Sequence, residues 1–296
     1  MARRQPGGDR PAMTSSGGAG GSDIGPVVEP GFPDPHGVTV SDIDDSMTAT
    51  VNRERVLLVG GQRALVMQLA HPLVAAGVDQ HSDFPARALE RLRRTLDLSL
   101  AMIYGTPQEA NEAAGAVRMV HERVAGVAEG TPYRASDPDL LVWVNATLVD
   151  TTLTVYEGFV RRLTADQRAR YYVETVDAAE LFGIPRDRIA PDLPSFRRYM
   201  RAMVEGGELR ATEVGRRLVR DVLSPPLPLP LRLPTAVTTR LTVALLPEPV
   251  RSMFGLRVGR LDRVALAGAG AASRTLLPLV PRTIREFSRA RSARQR

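Results

Sequence analysis

From Val51 onward, apolar positions recur three and four residues apart, the spacing of a helix face, and no stretch alternates with the period of a strand. Val56, Leu57, Val59, Ala64, Leu65, Met67, Leu69 and Ala70 describe a mostly buried helix, with Gly60-Gly61 as the place where it kinks or breaks. Pro72 disturbs the regular backbone after His71. Phe84-Pro85 opens the next helix, Leu89, Leu92, Leu96, Leu100 and Ile103 form its apolar stripe, and Tyr104-Gly105 closes it with a glycine suited to a left-handed cap. Thr106-Pro107-Gln108-Glu109 is a capping box with proline at the first helical position. The helix it starts carries Ala110, Ala113, Val117, Val120, His121, Val124 and Val127.

Asp137-Pro138 caps a helix with Leu140, Leu141, Trp143, Val144, Leu148 and Val149. Thr164-Ala165-Asp166-Gln167 is a second capping box, and Gly183-Ile184-Pro185 ends the helix that follows. Pro194–Val204 and Ala211–Leu223 are two further helices. Ser224-Pro225-Pro226-Leu227-Pro228-Leu229-Pro230 predicts an extended crossing. Helices around Thr235–Leu246, Pro249–Met253 and Arg260–Leu277 come next, and Arg282–Arg296 predicts an arginine-rich amphipathic helix fraying into solvent. The expected architecture is all-α, one multi-helix domain without internal repeats. Its expected layout is a disordered Gly/Pro-rich tail over 1–40 and a helical domain over 41–290. That domain comprises a core to about 223, the crossing 224–234 and C-terminal helices 235–290; a basic tail 291–296 follows.

Composition narrows the chemistry. The 296 residues carry a net charge of +6 and are 43% hydrophobic, and no apolar run approaches the roughly 20 residues of a membrane helix. Arg3-Arg4 is not followed by the apolar stretch of an export signal. Every basic residue other than histidine is arginine, which excludes lysine Schiff-base chemistry. There is no cysteine, which excludes disulfides, thiolate ligands and cysteine nucleophiles, so any protein-bound metal must use histidine or oxygen donors. No Gly-x-Ser-x-Gly is present, and Gly268-Ala269-Gly270 lacks the preceding strand of a phosphate loop. The basic residues are not interleaved with aromatics, so no nucleic-acid partner is expected.

Three of the four histidines fall between Gln62 and Ala128; His36 lies in the tail. His71 and His81 sit ten apart across a turn, but no Glu-x-x-His or His-Glu-x-x-His accompanies them. His121 lies on or beside an apolar helix stripe, where a satisfied core histidine is the ordinary role. A buried neutral imidazole is also what an axial haem ligand requires. Arg91, Arg94 and Arg118 are cations available to haem propionates, although a solvated helix face accounts for each of them as well.

Several of these pieces occur in an order that is itself informative. His71-Pro72-x-Val74-Ala75-x-Gly77-Val78-x-x-His81-Ser82 precedes Arg91-x-x-Arg94-Thr95 and Tyr104-Gly105. Val117-Arg118-x-x-His121-x-x-Val124 and Asp137-Pro138-x-Leu140-Leu141-x-Trp143-Val144 follow. Over about residues 45 to 290 the chain resembles the MpaB-type oxygenases, relatives of the catalytic domain of latex-clearing protein. The resemblance implies a haem b oxidoreductase acting with dioxygen on a small apolar, isoprenoid-like substrate. It implies His121 as the iron ligand, with Arg118, Arg94 and His71 around the cofactor and Thr95, His81 and Arg91 as catalytic candidates. Arg94 stands where the latex enzymes carry lysine, Asn145 stands where many relatives carry histidine, and no acid precedes Asp79 in residues 70–80. The rubber substrate is therefore not carried over. A cytoplasmic bacterial protein is expected, with peripheral membrane contact through the arginine-rich C-terminus. The alternative is a non-catalytic helical protein that binds haem, lipid or another apolar ligand.

Overall fold

A computed structural model describes residue 43 and residues 45–82, 88–225 and 229–295, with the side chains of 88–92 and 229–234 outside that description. The expected tail over 1–40 and the Phe84-Pro85 helix start lie outside the described residues. The rest is the expected all-α architecture.

Helix α1 (Met47–Asn52) begins at Ser46, whose side chain accepts the Ala49 amide. Glu174, far along the chain, accepts the Met47 and Thr48 amides at 3.0 and 2.7 Å, satisfying donors that a helix start leaves open. A 3-10 turn, Arg55–Gly60, runs into α2 (Gly61–Leu69). The predicted break is therefore real. A Cβ on Gly60 would stand 2.6 Å from Cγ2 of Thr151, so a side chain at this crossing has no room. Helix α3 (Pro72–His81) follows with Pro72 in its first turn and His71 as its extended cap. Then come α4 (Ala88–Tyr104) and α5 (Pro107–Arg123), the latter with the Thr106–Glu109 capping box complete.

Helix α6 (Pro138–Phe159) is the centre of the domain. Trp143, Ala146, Val149, Leu153 and Tyr156 along it are buried in one cluster with Val66 and Met67 of α2. Tyr171, Tyr172 and Val176 of α7 (Ala165–Leu181), Phe196 and Met200 of α8 (Leu193–Glu205), and Leu218 and Val222 of α9 (Glu213–Leu223) complete that cluster. Arg63, 3% exposed, ties α2 to α6 by an ion pair with Asp150 at 2.7 Å and a bond to Thr151 at 2.6 Å. The chain continues through α10 (Leu229–Leu245), α11 (Glu248–Met253), α12 (Arg260–Leu276), α13 (Arg282–Arg285) and α14 (Ser288–Ala293).

Four expectations are corrected. Helix α5 stops at Arg123 instead of running through Val127, and an antiparallel hairpin follows, β1 (Ala125–Ala128) and β2 (Thr131–Arg134). Its two-residue turn puts Glu129 at φ 51° and Gly130 at φ 80°, the pair of positive angles that matches the twist of the strands. Next, residues 229–234 are helical, not extended; Pro230 falls in the first turn of α10, where a missing amide costs no intrahelical bond. Only Ser224 and Pro225 of the expected crossing remain non-helical among the described residues.

Gly105, in turn, does not take a left-handed conformation. It is small because a Cβ there would lie 2.3 Å from the Ala101 carbonyl oxygen. Finally, the C-terminal segment does not fray. Phe287, Ala290 and Ala293 are buried against Leu100 and Tyr104 of α4, and Glu286 pairs with Glu54 in an antiparallel bridge. Arg285, Arg289 and Arg294 are used internally, on Glu54, Glu109 and Glu286.

Candidate functional site

The end of α5 is held from two sides. Arg118 donates to the carbonyl oxygen of Leu181, the last residue of α7. Its aliphatic stem crosses Gly183, where a Cβ would meet Cδ at 3.3 Å. Gly183 itself has φ 85° and turns the chain out of α7. On the other side Val124, one residue past α5, lies 3.8 Å from the Cβ position of Gly77 in α3. His121 occupies the last turn of α5 between these two anchors.

The His121 ring is half-buried, and its Nδ1 is fully shielded from solvent without a hydrogen-bond partner. Burial alone lowers its pKa below the ordinary 6.5, since the charged form would lose its hydration with no carboxylate to replace it. The ring is therefore held neutral. His71, the cap of α3, is similar: its Nδ1 is also buried and unpartnered, and burial lowers its pKa, opposed by Glu208 and Asp137 and helped by Arg210. A third ring nitrogen, Nε1 of the fully buried Trp143, also lacks a partner. Buried polar atoms are usually satisfied, and these three ring nitrogens on α5, α3 and α6 are exceptions, as are Thr48 Oγ1, Glu54 Oε2, Arg285 Nε and Glu286 Oε1 elsewhere among the described residues.

His81 is placed differently. It is exposed in the last turn of α3, with Nε2 3.0 Å from the Ala125 carbonyl oxygen, and it pins α3 to the hairpin. Gln80 adds a bond to the Val127 carbonyl, and Tyr133 donates to Gln80 at 2.7 Å. Arg94 and Thr95 are exposed on α4. The reason is the stripe of that helix: Leu96, Leu100 and Ile103 turn toward Tyr104 and Phe287, which leaves positions 93–95 outward. The side chain of Arg91 lies outside the described residues. So the structure places Arg118 and His121 one turn apart on α5 and His71 at the cap of α3, and leaves His81, Arg94 and Thr95 on the surface.

Asn145 lines a cavity of about 30 Å³ with Tyr172, Arg188 and Tyr199, space for a water molecule. Among the described residues no cluster of three or more His, Asp or Glu side chains is arranged to hold a bare metal ion.

The family model described as ER-bound oxygenase mpaB/B′/rubber oxygenase, catalytic domain, matches residues 49–275. The chain belongs to this oxygenase family. Neither the curated proteins nor the solved structures compared with it gave a match. The matched span takes in the whole of α2 to α11 and nearly all of α12, and therefore every candidate residue named above. For a member of this oxygenase family, a neutral His121 with no carboxylate beside it fits the single imidazole that a haem iron takes from a protein. Trp143 was not foreseen as part of this region. Its signal was modest: it is the chain's one tryptophan, and it lies in the second turn of the longest helix among the described residues.

Proposed function

We propose that this oxygenase domain is a haem b oxidoreductase with His121 as the iron ligand, acting on an apolar alkene. The observation that carries the reading is the half-buried imidazole of His121, kept neutral by burial, with no hydrogen-bond partner at its shielded Nδ1. Haem b, when bound, supplies the activation of dioxygen that no side chain of this cysteine-free and lysine-free chain provides. The protein's part is positional. Arg118, anchored on Leu181, fixes the last turn of α5 and with it the imidazole. For Arg94 to meet a propionate, or for Thr95 and His81 to line the oxygen site, these surface side chains would have to turn inward when haem binds. His71, kept neutral by burial, borders the cofactor. Insertion of dioxygen across a carbon–carbon double bond yields two carbonyl groups and consumes no outside electrons, so no redox partner is needed.

The test is oxygen uptake by haem-reconstituted protein given polyisoprene or a short isoprenoid alkene, without added reductant. One oxygen consumed per two carbonyls formed supports the reading. A normal haem spectrum with no uptake and no carbonyl product favours instead a non-catalytic binder of haem or another apolar ligand. The exposure of Thr95 and Arg94 is the observation on that side.

A further inference from the structure

Helix α12 is built inside out. The face toward the domain is small and polar: a Cβ on Gly270 would stand 2.7 Å from the Gly158 carbonyl oxygen, and Ser273 donates to Phe159 at 2.6 Å. Arg274 donates to the Gly158 carbonyl as well. The opposite face carries the large apolar residues. Leu261 is 84% exposed, Val264 69% and Leu276 57%, and they share one face at helical spacing. Leu279 at 78% and Ile284 at 63% extend the strip past the end of the helix. An amphipathic helix of a globular domain normally turns such residues inward.

The charges around this strip have one sign. Between 257 and 284 there are five arginines and one acid, five minus one giving +4. Arg257, Arg260 and Arg263 are exposed, and Arg282 is 72% exposed. The acid, Asp262, is only 21% exposed and is taken up by the Gly259 amide and Arg240. We propose that this face docks on an anionic lipid surface. Leu261, Val264, Leu276, Leu279 and Ile284 enter the interface, and Arg260, Arg263 and Arg282 meet the headgroups. A second copy of the chain is the poorer occupant, because a twofold interface would set each arginine cluster against its own image. The docking element is thus α12 and the turn after it, not the segment from 285 onward, whose arginines are largely spent on Glu54, Glu109 and Glu286.

Co-sedimentation of the full chain with phosphatidylcholine vesicles, with and without phosphatidylserine, tests this at low and high salt. The expected result is binding only when phosphatidylserine is present, weakened by salt. Arg260→Ala and Arg263→Ala should each weaken binding about fivefold. Leu261→Glu with Leu279→Glu should weaken it at least about tenfold. Both leucines are too exposed for these changes to disturb the core, which an unchanged unfolding midpoint verifies. Arg197→Ala with Arg201→Ala, exposed on α8, should leave binding unchanged. Equal binding to neutral vesicles, full binding by the double-leucine variant, or an equal loss with the α8 pair would each overturn the proposal. So would a concentration-dependent dimer that Leu261→Glu abolishes, which would assign the face to a second copy.

Discussion

At the joint between the two ends of the described chain, Glu54 and Glu286 are 0% and 1% exposed, and arginines answer them. Arg285 reaches Glu54 at 3.0 Å, Arg53 stands 3.4 and 3.5 Å from the two carboxylates, and Arg294 reaches Glu286 at 3.7 Å. At the end of α5, His121 is half-buried with its Nδ1 shielded from solvent, and nothing answers that nitrogen. The first arrangement is compensated in charge: it closes the C-terminal segment onto the start of the domain, and the chain supplies both signs, although Glu54 Oε2, Glu286 Oε1 and Arg285 Nε make no hydrogen bond. The second has a shielded ring nitrogen with neither a hydrogen-bond partner nor an opposite charge beside it. Burial alone therefore does not mark a functional site. Burial that the chain itself does not compensate is the sharper sign.

The largest expected effect lies in the compensated region. Arg285→Ala should destabilise the protein by about 3–5 kcal/mol in denaturant unfolding, because two carboxylates would remain buried with too little positive charge. A loss under about 1 kcal/mol would show that water already serves them. Gly183→Ala, in the uncompensated region, should cost about 1–2 kcal/mol, since φ 85° is strained for alanine and its methyl group would press on Arg118. The same variant should weaken haem retention while leaving the 54–286 joint intact.

The two regions should also differ in the sign of their response to pH. Burial raises the pKa of Glu54, opposed by Arg285 and Arg53, so its stabilising contribution is present below the ordinary 4.5 and is lost as pH rises through the folded value. Burial lowers the pKa of His121, so its contribution is present above 6.5 and is lost as pH falls through the folded value. In haem-free protein, His121→Phe should flatten the loss of stability on acidification below 6.5. An unchanged slope would mean the ring is hydrated. Last and smallest, His81→Ala should cost about 0.5–1 kcal/mol, the net worth of one exposed bond to the hairpin. A much larger loss of oxygenase activity than of stability would return His81 to the chemistry.

Most of the fold was legible because its signals are local. The Thr106 and Thr164 capping boxes, the Pro138 start and the Gly183 stop appear where the side chains predict them. The hairpin was not legible, because its strands are four residues each and carry no alternation. The folded C-terminus was hidden for another reason. Its partners, Glu54 and Glu109, lie about two hundred residues earlier, and an arginine-rich sequence looks solvated until those carboxylates are placed beside it. Within the candidate site, the inward face of His121 followed from the stripe of α5. The outward placement of Thr95 and Arg94 depended on which helix the α4 leucines met, and spacing alone does not reveal that.

The most direct test is a haemin titration of the purified full chain followed by absorption spectroscopy, wild type beside His121→Ala. The account predicts a saturable Soret band at one haem per chain in the wild type, lost or shifted to that of free haemin in the variant, with the two proteins unfolding at similar midpoints. An identical Soret band in both would contradict it.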